Sequence, residues 1–334
     1  MTTLDTHSWQ NAEVVSTRYV ADDILRIALR PTKPTAVKPG EHVKGQVWID
    51  GKEHTRSYSI VDATDDGSEI SLTVFRIPDS RGGSIFMHGL SGGDILRITE
   101  PQQNFPLRIG AKRYVLLAGG IGITAVKNMA RVLSRVKADY QLIYIGRKRD
   151  AMAYADQLVA EHGDRIHLHM DDVDERFNVS RLISGIEDGT ELYMCGPIRL
   201  MDAVRRAWLK TNLEITNLRY ETFGNNGWFK PETFNVDVPR LGVKTAVGPN
   251  ESLLEALERA GLETIFSCKK GECGICQIKV LRLDGQIDHR DVFHSEEEKA
   301  ANTRMCGCVS RIAAAEKPNT AATDQPASVT IDIS

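Results

Sequence analysis

Up to residue 99 the chain alternates short apolar and polar stretches. Residues 14–19, 24–29, 42–49, 57–61, 69–76 and 94–99 read as strands, parted by Pro31, Pro39-Gly40, Asp50-Gly51, Asp65-Asp66-Gly67 and Gly92-Gly93. Many short strands at this spacing predict a small antiparallel β-barrel. A turn over 51–54 and a helix over 85–90 complete this part. From residue 112 the pattern changes. Tyr114-Val115-Leu116-Leu117-Ala118 is a continuous apolar run, the mark of a strand buried on both faces. A glycine turn follows it, and then Val126, Met129, Ala130, Leu133 and Val136 recur at helical spacing. Strands over 141–145, 166–170 and 191–194 alternate with helices over 154–162, 179–183 and 198–210, which predicts an α/β domain built on a parallel sheet. Gly224-Asn225-Asn226-Gly227-Trp228-Phe229-Lys230-Pro231 reads as a linker.

The remainder predicts an α+β domain. It has strands over 233–238 and 243–247, and a capping box of Ser252 and Glu255 opening a helix to Ala260. A cysteine-rich loop, a strand over 277–282, a turn at Asp284-Gly285 and a second capped helix from Ser295 with Glu298 come next. Residues 313–328, rich in Ala, Pro, Thr and Asp, are expected to be mobile, and 329–333 to end the chain as a strand. The expected domain limits are 1–108, 109–224, a linker over 225–232, and 233–334.

Bulk properties exclude several classes. A chain of 334 residues with 41% hydrophobic and 26% charged residues is an ordinary globular composition, long enough for two or three domains. A net charge of -3 gives no broad basic field for nucleic acid. The first residues lack the basic and apolar regions of a secretory leader, and no apolar run reaches the roughly 18 residues of a membrane span. The expectation is a cytoplasmic protein.

The chemistry gathers at Ser267-Cys268-Lys269-Lys270-Gly271-Glu272-Cys273-Gly274-Ile275-Cys276, with Cys306-Gly307-Cys308 further on. A C-x4-C-x2-C run plus a remote cysteine is the plant-type ligand spacing of a [2Fe-2S] cluster. The glycines let the loop turn tightly and bring backbone amides to the sulfurs. Structural zinc usually takes its ligands from two short C-x2-4-C pairs, which this spacing does not supply. A disulfide framework suits a small secreted chain, whereas five of the six cysteines here crowd one region of a long one.

Four other motifs carry weaker signals. In Arg56-Ser57-Tyr58-Ser59, an arginine among hydroxyls suits a phosphate and a tyrosine face can stack on a flavin ring, although a surface strand would read the same. Arg81-Gly82-Gly83-Ser84 offers free amides before a helix, or forms an ordinary loop. Gly120-x-Gly122-x-x-Ala125, within Gly119-Gly120-Ile121-Gly122-Ile123-Thr124-Ala125, satisfies the loose dinucleotide pattern. The second strand of that unit ends in Gly146-Arg147-Lys148-Arg149, where an ordinary Rossmann dehydrogenase has an acidic residue. Cys195-Gly196-Pro197 lies where a parallel strand delivers it to the carboxyl edge of the sheet. Alone, Cys195 could equally be a small buried apolar residue.

These motifs occur in one order over nearly the whole chain, ending with Cys308-Val309-Ser310-Arg311. The ordered set resembles the phthalate dioxygenase reductase family, which includes vanillate O-demethylase reductases. The resemblance implies an FMN-binding barrel, a ferredoxin-reductase-like NAD domain and a β-grasp ferredoxin domain with a [2Fe-2S] cluster. It implies electron flow from NADH to a terminal Rieske-type oxygenase, met transiently by a monomeric reductase. Carried over by position, Arg56, Ser57, Tyr58 and Ser59 would hold the flavin, with Val74 and Arg76 nearby. Arg81, Gly82, Gly83 and Ser84 would hold its phosphate. Gly119, Gly120, Gly122 and Thr124 would face the dinucleotide, Arg147 its adenosine side, and Cys195, Gly196 and Pro197 the nicotinamide. Cys195 and Thr124 would flank the hydride path, and Phe223 would supply an aromatic ring near the flavin.

Cys268, Cys273 and Cys276 are three of the metal ligands, and the fourth stays open between two residues. The 29 residues 277–305 put Cys306 at simple plant-ferredoxin spacing. Family spacing of about 16 residues after the Asp288-His289-Arg290-Asp291 segment favours Cys308. Arg147, Lys148 and Arg149 could bind the extra phosphate of NADPH, so NADH rests on the resemblance. A reductase for a haem or diiron monooxygenase, a non-catalytic redox sensor and a zinc module are the other readings.

Overall fold

The computed structural model describes residues 8–78, 80, 82–223, 229, 231–314 and 326–333. Arg81, most of the expected linker and residues 315–325 of the segment expected to be mobile lie outside the described residues. Two compact units result, Met1–Gly196 with Ala203–Glu221, and Pro197–Asp202 with Thr222–Ser334.

In the first unit, β1 (Trp9–Ala21), β2 (Ile24–Pro31), β3 (Glu41–Ile49), β4 (Lys52–Ala63), β5 (Ile70–Phe75) and β6 (Ile95–Thr99) form the antiparallel barrel. Helix α1 (Gly83–His88) sits between the last two strands, and the short β7 (Gln102–Gln103) adds to β3. The order β4-β5-β2-β1-β6-β3 closes because β3 also pairs with β4. Inward-facing Val14, Ile27, Leu29, Val43, Val47, Leu72 and Ile98 are completely buried. Each such side chain contributes about 1.5–3 kcal/mol by leaving water.

Two sequence expectations need correction here. The turn before Arg56 is not 51–54 but the pair Asp50-Gly51, both at positive φ (50° and 73°), with Ile49 paired to Lys52. A two-residue Asp-Gly turn has the twist a hairpin needs, so β4 starts earlier than its apolar pattern suggests. Likewise α1 begins at Gly83 rather than residue 85.

The chain continues as β8 (Arg113–Gly119), α2 (Ile123–Arg135), β9 (Tyr140–Gly146), α3 (Ala155–His162), β10 (Ile166–Met170), α4 (Val179–Ser184), β11 (Thr190–Cys195), α5 (Ile198–Trp208) and β12 (Leu218–Glu221), all in the first unit but for residues 198–202 of α5. The parallel sheet runs β10-β9-β8-β11-β12. The strand order reverses beside β8, so a crevice opens at the carboxyl ends of β8 and β11. Helix α2 buries Ile123, Val126, Met129, Ala130 and Leu133 completely.

Lys127 of α2 is a charged residue in this otherwise apolar setting. Its Nζ donates to Asp62 of β4 at 2.8 and 3.0 Å and lies 5.0 Å from the Tyr154 ring centre. The Tyr154 hydroxyl shares a 2.5 Å hydrogen bond with Thr73 of β5. The Lys127 side chain is only 3% exposed, and its removal leaves the partly exposed Asp62 carboxylate with Arg131, 3.6 Å away. Lys127→Ala is therefore expected to lower stability by about 1–3 kcal/mol. Urea unfolding of the intact protein checks this, and a loss under about 0.5 kcal/mol would contradict it.

The second unit holds β13 (Phe234–Val238), β14 (Val243–Val247), α6 (Leu253–Arg259), β15 (Gln277–Asp284), β16 (Gln286–Asp288), α7 (Glu296–Ala301), β17 (Arg304–Cys306), β18 (Arg311–Ala313) and β19 (Ser328–Asp332). Both expected capping boxes are present, at Ser252 with Glu255 and Ser295 with Glu298. The mixed sheet is ordered β14-β13-β19-β15-β17, so the last strand of the chain lies in its middle. Leu253, Ala256 and Leu257 of α6 pack with Phe234, Val236, Ile278, Met305 and Ile331 in a β-grasp core. Ala313 and Ser328, expected in a mobile segment, belong to β18 and β19. Among the described residues no helix is long and apolar enough to cross a membrane.

Candidate functional site

On the barrel, the register sets Arg56 opposite Gly45 and Tyr58 opposite Val43. The two side chains share one face of β4, and a side chain at Gly45 would come within 3.3 Å of the Tyr58 ring. Burial pushes the Tyr58 phenol well above its ordinary pKa, with the Arg56 charge pulling partly back, so it remains protonated. A Cβ at Gly83 would meet Arg56 Cγ at 3.3 Å, which brings the Gly82-Gly83-Ser84 loop against the Arg56 stem. Gly82 holds φ +90°, and a Cβ there would lie 2.5 Å from Ile49. The Ser84 hydroxyl accepts from Ile77 N at 3.2 Å and donates to Ser80 Oγ at 2.8 Å, so it braces the loop itself. Val74 points into the barrel core, while its carbonyl oxygen sits 2.9 Å from His88 Nε2. Ser57 and Arg76 are exposed, and Ser59 is buried.

At the crevice of the parallel sheet, Cys195 lies level with Ala118 across the β11–β8 pair. The turns after these strands then meet backbone to backbone. A Cβ on Gly122 would sit 2.1 Å from the Cys195 carbonyl oxygen, and one on Gly196 3.0 Å from Gly119. Only glycine fits both positions. Gly120 takes φ +52° with open space where a side chain would point. Thr124 donates to the Ile121 carbonyl at 2.9 Å, so its hydroxyl fastens the turn that opens α2. The Cys195 thiol is buried, and Pro197 is exposed ahead of α5. Of the three basic residues after β9, Lys148 pairs with Asp22 at 2.6 Å and Arg149 with Asp156. Arg147 is exposed at the strand end.

In the second unit Cys268 contacts Cys273, and Cys276 contacts both Cys306 and Cys308. The Lys270 amide points at Cys268 Sγ, 3.3 Å away, and the amides of Glu272 and Cys273 also face it. The Gly271 amide faces Cys308. Gly271 and Gly274 hold φ +74° and +72°, and side chains there would strike Val309 and Asp291, or the Phe293 ring at 2.2 Å. Adjacent thiols ringed by amide donors fit a binuclear iron–sulfur group, in which each iron takes two thiolates and the N–H groups offset the negative charge. Cys306 also lies towards Asp291 and His294.

The match to known proteins follows the same outline. Residues 236–313 match the 2Fe-2S iron-sulfur cluster binding domain, and residues 100–218 the N-terminal domain of dimethylamine monooxygenase subunit DmmA-like proteins. The carnitine monooxygenase reductase subunit of Escherichia coli (strain K12) is 32% identical over 300 residues, 87% of this chain and 92% of that one. The vanillate O-demethylase oxidoreductase of Pseudomonas sp. (strain HR199 / DSM 7063) is 32% identical over 306 residues, 88% of this chain and 94% of that one. The crystal structure of phthalate dioxygenase reductase superposes with a TM-score of 0.72 at 28% identity, covering 97% of this chain and 98% of that one. The chain belongs to the phthalate dioxygenase reductase family. It is an NADH-dependent flavin and iron–sulfur oxidoreductase that uses FMN and a [2Fe-2S] cluster.

Sequence reasoning had no means to find two parts of this reductase. Thr222, directly before Phe223, is tied to the cluster loop: its amide and hydroxyl donate to Glu272 Oε1 at 2.6 and 2.8 Å, and the hydroxyl reaches the Lys270 carbonyl at 2.7 Å. Glu272 is thus a fastener within the C-x4-C loop. Asp291 is completely buried, bonded to His294 through the backbone N and Nδ1, both at 2.9 Å, and to Ser310. Burial is the largest single influence and raises the Asp291 carboxyl, but the nearby His289, 3.5 Å away, and the hydrogen bonds from His294 together hold it far below the usual range. The one sequence signal was a run of charged residues, Asp288-His289-Arg290-Asp291, and such runs usually face solvent.

Proposed function

We propose that this reductase serves a terminal Rieske-type oxygenase that attacks an aromatic ring or aryl ether. It would work as a cytoplasmic monomer, where NADH is available, and would meet its oxygenase transiently. The proposed domain limits are 1–108 for the flavin barrel, 109–224 for the NAD domain and 233–334 for the ferredoxin domain. The observation that carries the reading is the gathering of Cys268, Cys273, Cys276, Cys306 and Cys308 in one loop cluster with amides facing the sulfurs, in a chain that also has the glycine-only contact of Gly122 with Cys195.

Bound FMN takes two electrons together from NADH and gives them up singly, which is what a one-electron iron–sulfur acceptor requires. The residues of the chain supply placement. Arg56 offers positive charge, Tyr58 a ring face and a phenolic donor, and Gly82 and Gly83 a loop without side chains in which backbone amides can approach a phosphate. Gly122 and Gly196 let the turns after β8 and β11 meet, and Gly120 leaves open space where the dinucleotide would lie beside Cys195. Lys148 and Arg149 each pair with a carboxylate in solvent-exposed contacts, and Arg147 is exposed at the strand end where the adenosine side would lie. Cys268, Cys273, Cys276 and Cys308 hold the two irons.

An anaerobic visible spectrum before and after NADH, with the released flavin identified, tests the relay. Protein with neither flavin colour nor a paramagnetic signal from the reduced cluster, after reconstitution, refutes it. Cys195→Ala is expected to slow flavin reduction by roughly tenfold through looser nicotinamide placement, while photochemical reduction of the flavin is unchanged. Equal stopped-flow rates for variant and wild type would remove Cys195 from the hydride path.

A further inference from the structure

The strand proposed to hold the flavin and the helix that opens at the dinucleotide turn are joined by one buried ion pair. Strand β4 bears Arg56, Ser57, Tyr58 and Ser59, and further along it bears Asp62. Helix α2 starts directly after the glycine turn, with Thr124 in its first turn and Lys127 in the next. Lys127 Nζ donates to both Asp62 oxygens, at 2.8 and 3.0 Å. Both elements lie in the first compact unit.

The backbone of β4 is shaped for this contact. Its pairing with β5 slips between Ile60 and Asp62, the mark of a β-bulge. Ile60 and Ala63 both pack with the barrel core, so the extra residue leaves Asp62 on the outer side, towards α2. On an unbroken strand Asp62 would share the face of Ile60. From the helix side, Nζ lies 5.0 Å from the Tyr154 ring centre, and Thr73 of β5 holds the Tyr154 hydroxyl. Arg131, one turn further along α2, reaches the same carboxylate at 3.6 Å.

Stability does not account for this arrangement. Apolar side chains of similar size commonly replace a buried ion pair at no cost, but apolar contact is non-directional, and a helix seated by it alone can slide. A lysine held by both oxygens of one carboxylate fixes where the helix stands along the strand. We propose that Lys127 and Asp62 are positioning residues for hydride transfer, and that their pair sets the separation between a nicotinamide at the start of α2 and a flavin on β4. The inference rests on the assignment of these two segments to NADH and FMN. In the step concerned, a C–H bond of NADH breaks, its hydride passes to the flavin, a solvent proton completes the reduced flavin, and NAD+ leaves. The rate responds steeply to the separation of the reacting atoms, whereas affinity for each cofactor depends on contacts within its own segment. Breaking the pair therefore slows transfer and spares binding.

The test uses the intact, cofactor-loaded protein without oxygen. Lys127→Met is expected to slow flavin bleaching at saturating NADH about tenfold in stopped flow, with the dissociation constant for NAD+ within about twofold of wild type. The long-wavelength absorption of a nicotinamide stacked on the flavin weakens, and dithionite reduces flavin and cluster as before. The double variant Lys127→Met with Asp62→Leu controls for folding: it melts close to wild type, yet still bleaches at least about fivefold slowly. A Lys127→Met rate within about twofold of wild type overturns the inference. So does a double variant that recovers the wild-type rate and absorption together with its melting temperature, because the pair would then be structural only. A slower rate matched by an equally weakened NAD+ affinity also overturns it, since the pair would then act on binding. Wild-type flavin that NADH does not bleach refutes the relay itself, a separate result.

Discussion

Cys308→Ala is expected to purify as a yellow protein that NADH still bleaches at a rate within about twofold of wild type, but without the cluster. The reason lies in the thiol contacts. Cys308 touches Cys276 and receives the Gly271 amide, so its loss leaves one iron with a single protein thiolate. Cys306 cannot move into the gap without leaving β17 and bringing a thiolate against the buried Asp291 carboxylate. Single-electron delivery to cytochrome c through the cluster should fall at least about a hundredfold, whereas flavin reduction depends on the other unit and persists. Iron content, the long-wavelength absorption and the paramagnetic signal after reduction measure the first half, and stopped-flow bleaching the second. A Cys308→Ala protein holding two irons with a wild-type spectrum would defeat the assignment.

Gly122→Ala should have the opposite effect, with the cluster intact and the flavin no longer reduced by NADH. The added methyl would lie 2.1 Å from the Cys195 carbonyl oxygen and 2.5 Å from its carbon. Both are backbone atoms, so no rotamer change relieves the clash. The turn after β8 and the turn after β11 must separate, and they form the two walls of the dinucleotide crevice. A displacement near 1 Å in the groups that place a reactant costs about a hundredfold in rate. Reduction of the flavin by NADH is expected to fall at least that far, while dithionite reduces both cofactors normally and the melting temperature shows whether the fold survives. Gly120→Ala is the informative control, since a Cβ there meets open space and only its φ of +52° resists substitution. A Gly122→Ala rate within threefold of wild type would mean that the two turns can part without consequence for the nicotinamide.

The physics of local sequence explains how much was readable in advance. Barrel strands announced themselves because one face is buried and the other wet, and the strand over 113–119 because both faces are buried. The capping boxes at Ser252 and Ser295 are contacts between residues three apart, so they too are visible in the sequence. Strand ends were less legible. The Asp50-Gly51 turn let β4 begin at Lys52, in a stretch whose side chains are mostly exposed and polar. The C-x4-C-x2-C spacing identified an iron–sulfur loop because three ligands lie within one short segment.

The fourth ligand was another matter, since Cys306 and Cys308 differ by two residues and spacing favoured each under a different rule. Their surroundings separate them: one sulfur is beside the Gly271 amide, the other beside Asp291 and His294. Those neighbours come from segments up to 37 positions away, and no local pattern records which way a side chain turns at the end of a short strand. The same holds for Lys127, whose partner Asp62 is 65 positions distant, and for Gly122, whose need to be glycine comes from a carbonyl 73 residues on. By itself, then, the sequence determined the element types, the order of the three sheet systems and the iron–sulfur loop from short-range periodicity and spacing, while FMN and NADH followed from the ordered motifs that resemble the family. Tertiary structure alone decided what surrounds each sulfur, which glycines admit no side chain and which distant charges pair, because each depends on atoms brought together from distant parts of the chain.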